Sequence, residues 1–244
     1  MIEGLSQGPG GGVIVLLAVV VTAAAFVQGT SGLGFALIVA PVVGMVDPGL
    51  LPVFLLTSMI PLNLYVAWRE RDSIDVRGAG WISAARVAAT PLGLLLLWAV
   101  PERHLGVVVG AATLLAALAS LLLPAFTPGR AAYLGAGAVT AVTETATGVG
   151  GPPLALVYQH RPPAELRATV AVCFLVGEVA SLGLLFAGGR GGPDQALPAL
   201  LLLPAVALGV RLSRLVHHRV DAARLRIFVL VFATVSGAVL IAGL

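Results

Sequence analysis

The chain has 244 residues, of which 59% are hydrophobic and 10% charged, with a mean hydropathy of +1.04. Soluble domains usually carry about a quarter charged residues, so this composition excludes an ordinary soluble domain, and the length leaves no room for a separate soluble catalytic unit. The net charge of +3 and pI of 9.7 reflect arginine alone, since there is no lysine; no basic run is interleaved with aromatics, so the partners expected are anionic lipid headgroups and not nucleic acid.

The first apolar run, Val13–Val27, ends near the small residues Ala23, Ala24 and Ala25 and so has the look of a signal-peptide core. The residues before it carry Glu3 and no arginine, and apolar sequence resumes after Gly34, so Val13 onward is expected to belong to the mature protein. Gln28-Gly-Thr-Ser-Gly32 separates this run from Leu33–Val46. Leu50–Trp68, Gly80–Val100 and His104–Leu123 follow, each near the roughly 20 residues a helix needs to cross a bilayer. A second set opens with Ala131–Thr143, a break at Glu144–Gly151 and Pro152–Tyr158, and continues with Leu166–Ala187, Ala196–Leu212 and Ala222–Leu244. The lone Cys173 lies in an apolar run; it predicts a small packing residue and excludes an intrachain disulfide and a cysteine metal cluster.

The two sets resemble each other. A shift of 116 residues (148 minus 32) places Gly32 on Gly148, Gly34 on Gly150, Leu50 on Leu166 and Leu92-Gly93 on Leu208-Gly209. The last segments align if the second half carries about four extra residues near His217–Val220. The expected fold is an all-α polytopic membrane protein, one membrane domain over residues 1–244 with repeat halves 13–123 and 131–244. Each half holds a broken segment followed by three transmembrane helices.

Arginine placement bears on topology, because short cytoplasmic loops hold the excess of Lys and Arg. With each broken segment as a single crossing, eight loop arginines fall on one side and five on the other. With each as a re-entrant hairpin of half-helices, Arg103 and Arg190 lie on one side and the other eleven loop arginines opposite. A single helix over Val13–Val46 would also reach about 50 Å, too long for one crossing. The hairpin arrangement leaves three full crossings per half, an odd number, and therefore predicts inverted repeats. It puts Asp47 outside and Arg161 inside, whereas single crossings put both inside; both arrangements leave the N- and C-termini outside the cytoplasm.

Within lipid, unwound backbone is tolerated only where protein buries it or water reaches it. In the first break Gly29, Gly32 and Gly34 permit a turn, Gln28, Thr30 and Ser31 bring polar groups, and a half-helix starting near Leu33 would aim its N–H groups at an anion. The second break, Thr143 to Pro153, is the most polar stretch in an apolar setting. It offers Thr147, Gly148, Gly150 and Gly151 before Pro152-Pro153, which suit a helix start. Tight packing of helices through small residues is the competing explanation for both. Intramembrane ionisable groups mark function by default, and three stand out: Glu144, Glu178 and Arg86. Arg86 is a candidate anion partner or the structural partner of either Glu, and Glu144 and Glu178 are proton-coupling candidates. Asn63 and Gln28 also suit helix–helix hydrogen bonding, and His217 and His218 an interfacial position rather than a metal site. No Gly-x-Ser-x-Gly, Walker A or His-Glu-x-x-His pattern occurs, so no enzyme, cofactor or metal site is expected.

Gly29-Thr-Ser-Gly-Leu-Gly-Phe35 followed by Pro41, and Thr147-Gly-Val-Gly-Gly-Pro152, resemble the glycine-rich runs of the sulfite exporter TauE/SafE family, and the two-halved plan extends the resemblance over essentially the whole chain. Two departures stand out: Phe35 occupies a place where the family often has another glycine, and Glu144 is unexpected beside an anion site. The resemblance implies a secondary transporter of sulfite, sulfonates or related sulfur oxyanions in a bacterial inner membrane, working by alternating access. Its partners would be a small anion and membrane lipid, with a homo-oligomer left open. An anion channel of the same fold and a non-transporting scaffold are the alternatives.

Overall fold

The computed structural model describes residues 11–122, 128–158, 161–216 and 222–242. Glu3 and its leader, and His217, His218 and Arg219 with the extra residues expected near them, lie outside the described residues. Eleven α-helices follow in order among the described residues, with no strand: α1 (Gly11–Ser31), α2 (Phe35–Val46), α3 (Val53–Arg69), α4 (Val76–Ala99), α5 (Leu105–Leu122), α6 (Arg130–Thr147), α7 (Gly151–Tyr158), α8 (Pro163–Ala187), α9 (Pro193–Leu201), α10 (Leu203–Val216) and α11 (Ala222–Ala242). Three of them, Gly11–Ser31, Val76–Ala99 and Pro163–Ala187, are long and apolar enough to cross a membrane, and α9 with α10 forms a fourth such unit bent by 45°. The bend has a local cause. Pro204 in the first turn of α10 has no N–H for the carbonyl of Leu200, and Leu202 leaves helical geometry between the two helices.

Polarity is distributed as lipid demands. Val15, Leu64, Val87, Leu95, Leu115, Val139, Val179 and Val235 are exposed, while Gln28, Asn63, Arg86, Glu144, Thr145, Glu178 and Ser181 are buried. In water this arrangement would expose a large apolar area; in hydrocarbon it satisfies both the outer faces and the interior. The protein is a multi-pass membrane protein.

The connections gather at two ends of the helix assembly. At one end, Gln195 donates to the Gly49 carbonyl (2.7 Å) and Arg190 to the Leu97 carbonyl (2.9 Å), around a cavity of about 370 Å³ that Leu105 also lines. At the other, Arg167 holds Glu70, the Asp75 N–H donates to Thr169 (2.9 Å), and Arg77, Arg130 and Arg161 line a second cavity of about 320 Å³. α3 and α4 each run from one end to the other, so Asp47 and Arg161 lie at opposite ends. Tyr133, in the first turn of α6, meets Tyr158, the last residue of α7, at 5.8 Å between ring centroids. α7 thus runs back along α6, and the pair begins and finishes at the arginine-lined end.

Close crossings rest on glycine. A Cβ on Gly93 of α4 would meet the Val142 carbonyl oxygen at 2.9 Å and that of Ala141 at 3.1 Å on α6. One on Gly209 of α10 would overlap the Thr22 carbonyl and lie 2.8 Å from the Ala25 Cβ on α1. α5 and α11 cross where Gly110 and Gly237 face each other's carbonyls, at 2.8 Å and 2.9 Å from the absent Cβ atoms. Small residues let the backbones approach and gain dispersion contact, the term that replaces hydrophobic association inside a bilayer.

Candidate functional site

Each glycine-rich break is shorter than its polar sequence suggests, because helix continues through Ser31 in one and Thr147 in the other. The hydroxyls explain this. Thr30 donates to the Phe26 carbonyl (2.8 Å), Ser31 to that of Val27 (2.9 Å) and Thr147 to that of Thr143 (2.7 Å), so these side chains bond back onto their own helix. The helices then stop at glycines in the left-handed region, Gly32 (φ 87°) and Gly148 (φ 80°). The N–H of each donates to the carbonyl four residues earlier, Gln28 and Glu144, both at 2.7 Å.

The parallel goes further. Leu33 N–H donates to the Ser31 hydroxyl (3.3 Å) just as Val149 N–H donates to the Thr147 hydroxyl (3.2 Å). Two turns 116 residues apart therefore share these hydrogen bonds, and the Ser31 hydroxyl also lies 2.6 Å from the Leu33 carbonyl. The breaks also face one another: the Leu33 side chain lies over Gly151, where a Cβ would stand 3.2 Å from it.

One turn before each break lies the polar residue that differs between them. Gln28 accepts from the Phe35 N–H (3.0 Å) at the start of α2, donates to Asn63 (2.9 Å), and Asn63 donates to Glu178 (2.6 Å). Glu144 instead pairs with the guanidinium of Arg86. Arg86, Glu144 and Glu178 are each wholly buried. Arg86 also lies over the Phe174 ring (5.4 Å), in a notch that exists because residue 177 is glycine; a Cβ there would fall on the guanidinium. Ionised together, these three groups carry one net negative charge. An unpaired buried charge is costly, so the guanidinium's direct partner is Glu144, and Glu178 is the carboxylate left with one hydrogen-bond partner, Asn63.

The structure thus links Gln28 to Glu178 through Asn63, pairs Arg86 with Glu144, seats Arg86 on Gly177 next to Glu178 in the chain, and places Gly32, Gly34, Gly148, Gly150 and Gly151 around the two turns. Thr30, Ser31 and Thr147 are there too, with their protons directed at backbone carbonyls. Sequence reasoning underweighted Asn63, which links the first break to Glu178 across 115 positions. It missed Gly177 altogether, since a lone glycine in an apolar run carries no signal of an arginine seated on it. Also unforeseen are the caps on α1. Arg69 donates to the Gly29 carbonyl (3.1 Å) and Arg167 to that of Thr30 (3.5 Å), with Glu70 holding both arginines. Cations at the negative end of a helix dipole are stabilising.

Outside the apolar segments, Arg130 stacks on Trp81 (3.9 Å) at the mouth of the 320 Å³ cavity, and Arg161 lies near the Tyr133 hydroxyl and Glu165, which raise the Arg161 pKa above its ordinary value. Among the described residues no group of three His, Cys, Asp or Glu side chains is placed to hold a metal.

No curated protein and no solved structure matches the chain. A family model described as Sulfite exporter TauE/SafE matches residues 16–240, nearly the whole sequence and both breaks. By that match the chain belongs to the sulfite exporter TauE/SafE family.

Proposed function

We propose that this protein is a secondary transporter that carries a small oxyanion of the sulfite and sulfonate class across a bacterial inner membrane by alternating access, coupled to protons. The observation that carries the proposal is the pair of buried polar groups leading from the two broken segments, Gln28–Asn63–Glu178 from the first and Glu144–Arg86 from the second, with Arg86 seated on Gly177 beside Glu178 in the chain. A scaffold has no need of two carboxylates and a guanidinium in hydrocarbon; a protein that moves charge does.

The halves act as inverted repeats, each a re-entrant pair followed by three crossings. In support, the contacts recur under the 116-residue shift: Gly93 against Ala141 and Val142 corresponds to Gly209 against Ala25 and Phe26. The two ends support a sidedness as well. Arg69, Arg77, Arg130, Arg161 and Arg167 share one end, which is assigned to the cytoplasm, and Arg190 lies at the other. The N- and C-termini then lie outside the cytoplasm.

The anion binds between the breaks. Gly32, Gly34, Gly148, Gly150 and Gly151 let it approach the backbone, and the N–H groups of Ala36 and Leu37 in α2 and of Gly151 in α7 donate to it, Pro152 and Pro153 having none. Thr30, Ser31 and Thr147 hold the turns, Gln28 sits at the base of the first, and Arg86 supplies positive charge balanced by Glu144 and Glu178. Proteoliposomes loaded with sulfite or sulfoacetate, with and without a pH gradient, test this. Anion flux that a pH gradient drives is expected. Absence of flux for any tested anion removes the transport claim, and flux indifferent to the gradient removes the coupling.

A further inference from the structure

We propose that Glu178 is the seat of the coupling proton and that Asn63 and Gln28 are positioning residues that relay its protonation to the backbone N–H of Phe35, at the start of α2. The inference rests on the transport reading above and names the coupling device within it.

The relay has a fixed direction. The Phe35 N–H is only a donor, so Gln28 must turn its carbonyl oxygen to it and its NH₂ toward Asn63. Asn63 must then present Oδ1 to Gln28 and its NH₂ to Glu178. At the far end the Glu178 oxygen accepts. All three bonds hold only while that oxygen carries no proton.

A proton taken from water by Glu178 forms one O–H bond, breaks none in the protein, and needs an acceptor. The second carboxylate oxygen, Oε2, has no hydrogen-bond partner among the described residues, and Asn63 is the group already in contact with Glu178. The O–H is satisfied when Asn63 turns over and offers Oδ1. Its NH₂ then faces Gln28, which turns over in its place and offers Oε1. The NH₂ of Gln28 now opposes the N–H of Phe35, two donors face to face, and that bond is lost. The released N–H stands at the positive end of the α2 dipole, beside those of Ala36 and Leu37, which have no acceptor within their own helix. Protonation of Glu178 thus adds a donor for an anion, and by linkage a bound anion favours the proton.

Other groups packed on α8 fit this assignment. At this depth α4 presents Arg86 and α6 presents Glu144, which occupies the guanidinium; α1 and α3 present the two amides. Cys173 and Ser181 lie on α8 itself, the latter bonded to Thr145 (2.7 Å). Tyr158 of α7, Asp75, and the Arg69–Glu70–Arg167 cluster lie toward the arginine-lined end. With Glu178 protonated, the Arg86–Glu144 pair remains and the buried set is neutral.

The first arm of the test needs no transported ion. The protein has eight phenylalanines, so ¹⁵N-Phe labelling in nanodiscs with Phe35→Leu for assignment isolates the Phe35 amide, while infrared difference spectra follow carboxyl protonation on acidification. A carboxyl band that Glu178→Gln removes is expected, with the Phe35 resonance moving at the same midpoint. In Asn63→Leu the band remains but the Phe35 resonance no longer follows it; Gln28→Leu cuts the same relay at the next link if Asn63→Leu fails to fold. Sulfoacetate affinity, measured alongside, rises on acidification by about tenfold in the parent and by less than about twofold in the relay variants, the worth of one charge-assisted hydrogen bond. A band surviving Glu178→Gln, no such band at any pH where the protein stays folded, or a Phe35 amide indifferent to the band overturns the relay. Vesicles without flux but with an intact relay would instead overturn the transport reading.

Discussion

Gly177→Ala is the sharpest probe of how Arg86 is held. In an α-helix interior the substitution should help, by up to about 1 kcal/mol, because alanine loses less backbone entropy than glycine. Here the new Cβ would occupy the position of the Arg86 guanidinium, which must move from its seat on Gly177. Arg86 and Glu144 are wholly buried, so displacing one leaves the other uncompensated, a loss of about 3–5 kcal/mol. The net expectation is destabilisation by about 2–4 kcal/mol. Denaturant or thermal unfolding in detergent micelles measures it for Gly177→Ala, Arg86→Met and the double variant. Gly183→Ala, on the same helix with nothing within 4 Å of its Cβ position, serves as the control and should be neutral or mildly stabilising. With Met at 86, Gly177→Ala should cost nothing or help by up to about 1 kcal/mol. Equal cost in both backgrounds, or no cost in the parent, would refute the seat.

Four further outcomes are expected. Gly148→Ala should destabilise by about 2–3 kcal/mol, since φ is +80° and the Cβ would collide with Leu55; unfolding in micelles reads it. Gly209→Val should separate α10 from α1, because the Thr22 carbonyl is backbone and has no rotamer to yield. A drop of several degrees in the unfolding midpoint, matched by Gly93→Val at α4–α6, is the signature. Glu70→Gln removes the carboxylate that holds Arg69 and Arg167 over the end of α1; these side chains are only 13% and 12% exposed, and a loss of about 1–2 kcal/mol is expected in the same assay. Single cysteines at Asp47 and Arg161 should react with membrane-impermeant thiol reagents from opposite sides of the membrane, and labelling from one side alone would contradict the two ends seen here.

Much of the architecture was legible because lipid imposes simple rules. Apolar length located the helices, and the glycines at 32, 34, 148 and 150 located the turns, since two of the four sit at φ +87° and +80° and Gly34 at +117°. Arginine placement separated the two ends, because charge is excluded from hydrocarbon and collects where chains emerge. What was illegible is of another kind. Thr30, Ser31 and Thr147 stand out in sequence as polar groups for a ligand, yet a hydroxyl in a dry helix bonds the nearest carbonyl of its own turn, a local competition that composition does not reveal. The choice of Glu144 over Glu178 as partner of Arg86 depends on which helix faces bring them together. The bend at Leu202 was similarly concealed inside a continuous apolar run, although Pro198 and Pro204 were in view.

The two turns raise a question of symmetry that their matched hydrogen bonds make concrete. If the halves were identical inverted repeats, the conformations open to each side would be equal in energy, and nothing in the protein would tie occupancy to either. At the two turns the backbone is alike, with Gly32 and Gly148 bonded to positions 28 and 144. The side chains at those positions differ by one functional group. Gln28 both accepts and donates, so it caps Phe35 and holds Asn63 at once; Glu144, when ionised, only accepts, and takes a cation instead. A single amide-for-carboxylate difference therefore gives one half a neutral hydrogen-bonded wire and the other an ion pair. Glu178 is reached by the wire through Asn63 and follows Gly177, on which Arg86 is seated, which makes it the point where the two halves are compared. In this proposal the glycines make the motion affordable to either half, and the difference between Gln28 and Glu144 decides which half responds to a proton.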